Sequence, residues 1–140
     1  MMTWEFSHPA KPRHIVPLWY RLTVRTVPAG ILVQYLLAGL GLFYDGLFLD
    51  WHGGLGMLLF LPITALVLAS WFGGQMHPLR WWAGLLAMLH AVQVALITVG
   101  QSSGSGILQA LHPFNGGLML AASLVLLAKV ERNRAPMAKT

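Results

Sequence analysis

The sequence contains no cysteine, four acidic residues and very little charge of any kind. Without cysteine there are no disulfides, thiolate metal sites, iron–sulfur clusters or covalent c-type haem attachments, and histidine is left as the strong ligand. The carboxylates are scattered: Asp45 and Asp50 fall in one loop, Glu5 and Glu131 in opposite tails. No paired carboxylates, nucleophile–base set or phosphate loop can be read, so hydrolysis and phosphoryl transfer have no support. Charged residues make up 9% of the chain and hydrophobic ones 56%, which excludes an ordinary soluble globular domain. A secretory signal is also missing, because Pro, Arg, Lys and His fill the region before the first apolar run.

What is present is apolar and periodic. Four runs, roughly 22–44, 54–72, 79–100 and 113–130, approach or exceed the ~20 residues that cross a bilayer. The turns between them are short, so consecutive spans are antiparallel neighbours in an up-down, all-α, four-helix integral membrane bundle. Residues 1–20 read as a Pro-rich, aromatic interfacial tail, 21–131 as the bundle and 132–140 as a basic tail. Pro62 in the second run frees the carbonyl of Leu58 and predicts a kink there.

The net charge of +5 is a topology signal and implies no nucleic-acid partner. Lys11, Arg13, Arg21 and Arg25 precede or open the first span, Arg80 sits between the second and third, and Lys129, Arg132, Arg134 and Lys139 end the chain. The loops around 45–50 and 101–110 carry neither residue type. The positive-inside rule then places both termini in the cytoplasm and those loops outside. The basic residues also suit anionic lipid headgroups.

The chain repeats itself. Gln34 followed by His52 in the first half matches Gln93 followed by His112 in the second, and each histidine is followed four residues on by glycine, Gly56 or Gly116. On a helix that glycine lies on the histidine's own face, one turn away, where it offers a low surface to a flat ligand. Neutral imidazole is the form that ligates iron. The pattern points to haem b held between helices two and four by His52 and His112, with Gly56 and Gly116 beside it. Reading 54 and 113 as span starts sets both histidines at the outer interface, where helix N-termini and the loop Gln101–Ser105 can serve the propionates. The bland alternative is that these histidines cap helices or bind water.

His90 falls mid-span, about 15 Å below the outer end of the third span at helical rise. An ionisable residue at that depth is a functional candidate. With Gln34 and Gln93 it forms a second polar site, read as interhelical hydrogen bonding or as part of a proton or quinone site. His8, His14 and His77 lie at the cytoplasmic end and show no ligand spacing.

The patterns Gln34–Gly39, His52 and Leu111-His112-Pro113-Phe114-Asn115 resemble an uncharacterised family of small four-span bacterial membrane proteins over roughly residues 28–130. That resemblance implies the bacterial inner membrane and supplies no activity. More loosely, the chain is similar to one half of the haem A synthase architecture and to other four-helix membrane b cytochromes. Histidines on the second and fourth helices of each half face one haem there, and the resemblance places that role on His52 and His112. The Glu-x-x-His-Arg motif of haem A synthase is missing, so the resemblance implies haem binding and electron carriage, with a quinone or a redox protein as partner, and leaves oxygen chemistry aside. The competing expectation is a cofactor-free accessory subunit packed in a larger membrane complex.

Overall fold

A computed structural model describes residues 16–132 of the chain. All the regular structure there is helical: α1 (Leu18–Phe43), α2 (Leu47–Leu58), α3 (Phe60–Phe72), a 3₁₀ segment (Gly74–Leu79), α4 (Arg80–Ser103) and α5 (Gly106–Arg132). They form four helical units long and apolar enough to cross a membrane, with α2 and α3 joined as one and the 3₁₀ segment leading into α4. The expected interfacial tail, with His8 and His14, lies largely outside the described residues. Its last three positions, 18–20, belong to α1.

Pro62 acts where expected. Lacking an N–H and crowding the carbonyl four residues back, it interrupts the helix, and α2 gives way to α3 at Leu59. The break drives the Leu59 side chain against Gly30 of α1, where a Cβ would come within 2.6 Å of Leu59 Cδ2. A larger residue there would require the Leu59 side chain to shift.

Burial reveals the duplication more fully than residue identity does. The shift that takes Gln34 to Gln93 also takes buried Tyr20, Val24, Val27 and Ile31 of α1 onto buried Leu79, Ala83, Leu86 and His90. The shift that takes His52 to His112 takes buried Leu59, Ile63, Leu66 and Ser70 onto buried Met119, Ser123, Leu126 and Val130. Each pair of spans is thus one copy of a helical hairpin with the same inward stripe.

The bundle is sealed at one end only. Every residue of the hydrophobic core lies in the half that carries the termini. In the half that carries the turns at 44–46 and 104–105, α2 has no buried residue, and the only buried position in 94–114 is Gly100. Helix α2 packs on α1 and continues into α3, with no comparable packing against α4 or α5. The closed half ends in a polar layer of buried Gln34, His90 and Asn115.

At the termini end, Trp71 and Trp81 meet edge to face, Arg80 lies over Trp81 and Lys129 lies over Trp82. Such aromatic and cationic pairing suits a headgroup-level belt. Arg80 also contacts the His77 ring.

Candidate functional site

The two repeat histidines meet. His52 on α2 and His112 on α5 face each other with ring centroids 6.0 Å apart and planes inclined at 62°. Each ring is held by the same device. His52 Nδ1 lies 3.0 Å from the backbone carbonyl of Gln34, and His112 Nδ1 lies 3.1 Å from that of Gln93. A carbonyl only accepts, so in each pair Nδ1 carries the proton and donates. That fixes both tautomers, orients both rings and leaves the Nε2 lone pair as the coordinating site, the arrangement found behind metal-ligating histidines.

A second contact repeats alongside. Gly41 of α1 lets Leu49 of α2 approach until a Cβ would stand 2.6 Å from its Cγ, and Gly100 of α4 does the same for Gln109 of α5 at 2.9 Å. Both glycines sit seven residues after the glutamine, and both partners three before the histidine. Each hairpin is therefore fastened at two equivalent points, which sets the two imidazoles at matching depth.

The glutamine side chains break the symmetry. Gln34 Nε2 donates to the His52 carbonyl at 2.9 Å. Gln93 Nε2 instead lies 3.2 Å from His112 Nε2, while Gln93 Oε1 accepts from Asn115 Nδ2 at 2.7 Å. Asn115 also donates to the Leu89 carbonyl. With Nδ1 protonated, His112 Nε2 accepts the Gln93 amide proton. His52 Nε2 has no such cap among the described residues.

The glycines beside the histidines face side chains. A Cβ on Gly56 would stand 3.5 Å from Gln34 Nε2, and one on Gly116 would stand 3.0 Å from the Tyr35 hydroxyl and 3.5 Å from Gln93 Nε2. Tyr35 donates to the Pro113 carbonyl at 3.1 Å, a main-chain group within the helix interior that no sequence pattern singles out. Tyr35 is thus a member of the site that periodicity missed.

Two expectations about depth are corrected. His52 and His112 are not at helix starts: α2 begins at Leu47 and α5 at Gly106, so both rings lie one to two turns further in. Helices continue through these stretches because a backbone at membrane depth must satisfy its own polar groups. The helix N-termini therefore do not adjoin the imidazoles, and Ser102 and Ser103 spend their hydroxyls on the Val99 carbonyl. The imidazoles are also nearer to His90 than a position at the outer end of the span would set them, because His112 pairs with Gln93. His90 is three residues before Gln93, about 4.5 Å along the helix axis.

His90 does not join Gln34 and Gln93 in one network. Its ring is buried at 6% exposure, and its Nδ1 has no hydrogen-bond partner. It stands where the first hairpin places buried Ile31. Among the described residues no group of three or more His, Asp or Glu side chains converges on a metal-sized site.

A family model described as a family of unknown function, DUF6220, matches residues 17–99. The chain belongs to that family. The match covers α1 to α4 with Gln34, His52, His90 and Gln93, and stops short of His112. No curated protein and no solved structure matches the chain. Membership of DUF6220 brings no activity with it, and the paired imidazoles are the chemical feature that bears on function.

Proposed function

We propose that this DUF6220 protein is a small membrane b-type cytochrome that holds one haem between His52 and His112 and carries electrons. The reading rests on one observation: two repeat-related imidazoles, each with Nδ1 tied to a glutamine carbonyl, stand 6.0 Å apart. Two metal–nitrogen bonds of about 2 Å, with about 1 Å from each nitrogen to its ring centre, span a similar length. The centroid separation is the length that two imidazoles on one iron would span. When bound, haem supplies a one-electron couple.

The chain's own residues do the rest. Gln34 and Gln93 fix the tautomers and aim the rings through backbone carbonyls. The loose packing of α2 against α4 and α5 supports an opening on that side, and the closed half below keeps water from the site's floor. Loading requires the Gln93 amide and the Tyr35 ring to turn away from His112 and Gly116. The one-sided Lys and Arg distribution supports a cytoplasmic position for the termini end, which sets the imidazoles toward the far face. A membrane quinone or a neighbouring redox protein is the electron partner this placement suits.

The test is an absorption spectrum of the detergent-purified protein, oxidised and dithionite-reduced. A Soret band is expected, lost in His52→Ala and in His112→Ala and kept in His90→Ala. A colourless protein that takes up no added haemin sinks the reading.

A cofactor-free accessory subunit is the second reading, and a specific observation favours it. The Gln93 amide already satisfies His112 Nε2, and Asn115 and Tyr35 complete a network that needs no ligand. Under this reading the histidines are interhelical fasteners. The protein then co-purifies with a membrane partner, and the histidine variants lose stability without any colour to lose.

A further inference from the structure

Along the α1–α2 hairpin runs an open groove of about 660 Å³ that neither Gln34 nor His52 lines. Val33 on α1 and Leu55 and Leu58 on α2 form its walls, with Gly54 leaving room between them. Asp50 and Trp51 form its rim at the turn end. From Leu58 to Asp50 it follows the helix for about 12 Å. Val33, Trp51 and Leu58 are all exposed along it, and in a membrane bundle such a face looks into lipid.

The rim is chemically distinct from the walls. Asp50 has no hydrogen-bond or ion-pair partner among the described residues, and the indole of Trp51 beside it is 66% exposed. The other charged residue at this end, Asp45, accepts the Leu47 backbone N–H at 2.9 Å. No lysine or arginine occurs between residues 26 and 79. A carboxylate and an indole face together recognise an ammonium group, the first by charge and the second through its π cloud.

We infer that this groove binds a zwitterionic phospholipid, its acyl chain against Val33, Leu55 and Leu58 and its terminal ammonium on Asp50 and Trp51. A second copy of the chain is a poorer occupant. Related by two-fold symmetry, it would bring its own Asp45 and Asp50 to the same level with no cation to meet them. The inference does not depend on haem, since neither imidazole lines the groove.

The experiment uses the full chain in nanodiscs of equal phosphatidylethanolamine and phosphatidylglycerol, which differ in the ammonium group and hence by one unit of net charge. Lipids that stay bound after mild detergent extraction are counted by native mass spectrometry. A rim ion pair predicts about a threefold preference for phosphatidylethanolamine. Asp50→Asn abolishes the preference while the helical circular dichroism is unchanged. Gly54→Leu fills the groove and removes the retained lipid; its Cβ meets nothing within 4 Å, so the side chain starts in open space. Equal retention of both lipids by the native chain overturns the inference, as does a preference that survives Asp50→Asn. Cross-linking that seats a second copy on Trp51 overturns it too.

Discussion

The hydroxyls of Tyr20 and Ser70 lie 2.8 Å apart, fully buried, and Tyr20 is the donor. Ser70 has one hydroxyl proton and spends it on the Leu66 carbonyl at 2.7 Å, so its oxygen can only accept from Tyr20. Direction makes the two substitutions unequal. Tyr20→Phe removes a donor and strands nothing that needs a proton, at a cost of about 1 kcal/mol. Ser70→Ala leaves a buried phenol without a partner and costs about 1–3 kcal/mol. Unfolding of the purified protein in mixed micelles should rank Ser70→Ala as the less stable.

His90 gives a prediction of the opposite sign. Because Nδ1 has no partner, replacing the imidazole with the residue its repeat mate uses removes an unsatisfied group and fills the same space. His90→Ile is expected to leave stability unchanged or raise it by about 1 kcal/mol. A loss of that size in the same unfolding assay would show that His90 is bonding something.

Gln93 separates the two functional readings. Gln93→Leu keeps the backbone carbonyl that orients His112 but removes the amide from its Nε2. If haem binds there, haemin titration followed at the Soret band shows affinity kept or increased. If the network is an end in itself, Asn115 and His112 lose a partner each and the protein is destabilised by about 1–3 kcal/mol.

Neighbouring glycines differ sharply. A Cβ on Gly73 would stand 2.5 Å from the Ala69 carbonyl oxygen, which is backbone and cannot swing aside, whereas one on Gly74 meets nothing within 4 Å. Gly73→Ala is expected to cost about 1–3 kcal/mol and Gly74→Ala close to none. Thermal unfolding of the two variants side by side checks this.

Arg25 and Glu131 tie α1 to α5 at 2.7 Å, yet their side chains remain 44% and 28% exposed. A double-mutant cycle on the pair should return a coupling below about 1 kcal/mol, smaller still in high salt.

The four spans and the Gln–His–Gly repeat were legible because apolar length and recurring polar types survive in one dimension. Helix limits were not. Leu47–Trp51 and Gly106–Leu111 contain Asp, Gly and Gln that weaken an apolar run, while the helix persists to keep its backbone bonded. The fastening of each histidine was also hidden, because its acceptor is a main-chain carbonyl and no side chain announces it. Tyr35 gave no signal either, having no counterpart aromatic in the second hairpin. His90 drew attention as a polar residue, but only burial reveals that it replaces Ile31 in a duplicated stripe.

The uneven sealing of the two ends divides the labour of the sequence. The buried stripe from Val16 through Tyr20, Val24 and Val27 to Ile31, with its repeat mates, carries the packing that holds the chain together. Apart from the Gly41–Leu49 and Gly100–Gln109 contacts, the exposed positions around Phe43 and Ile107 add little to folding and are free to vary with what the open end holds.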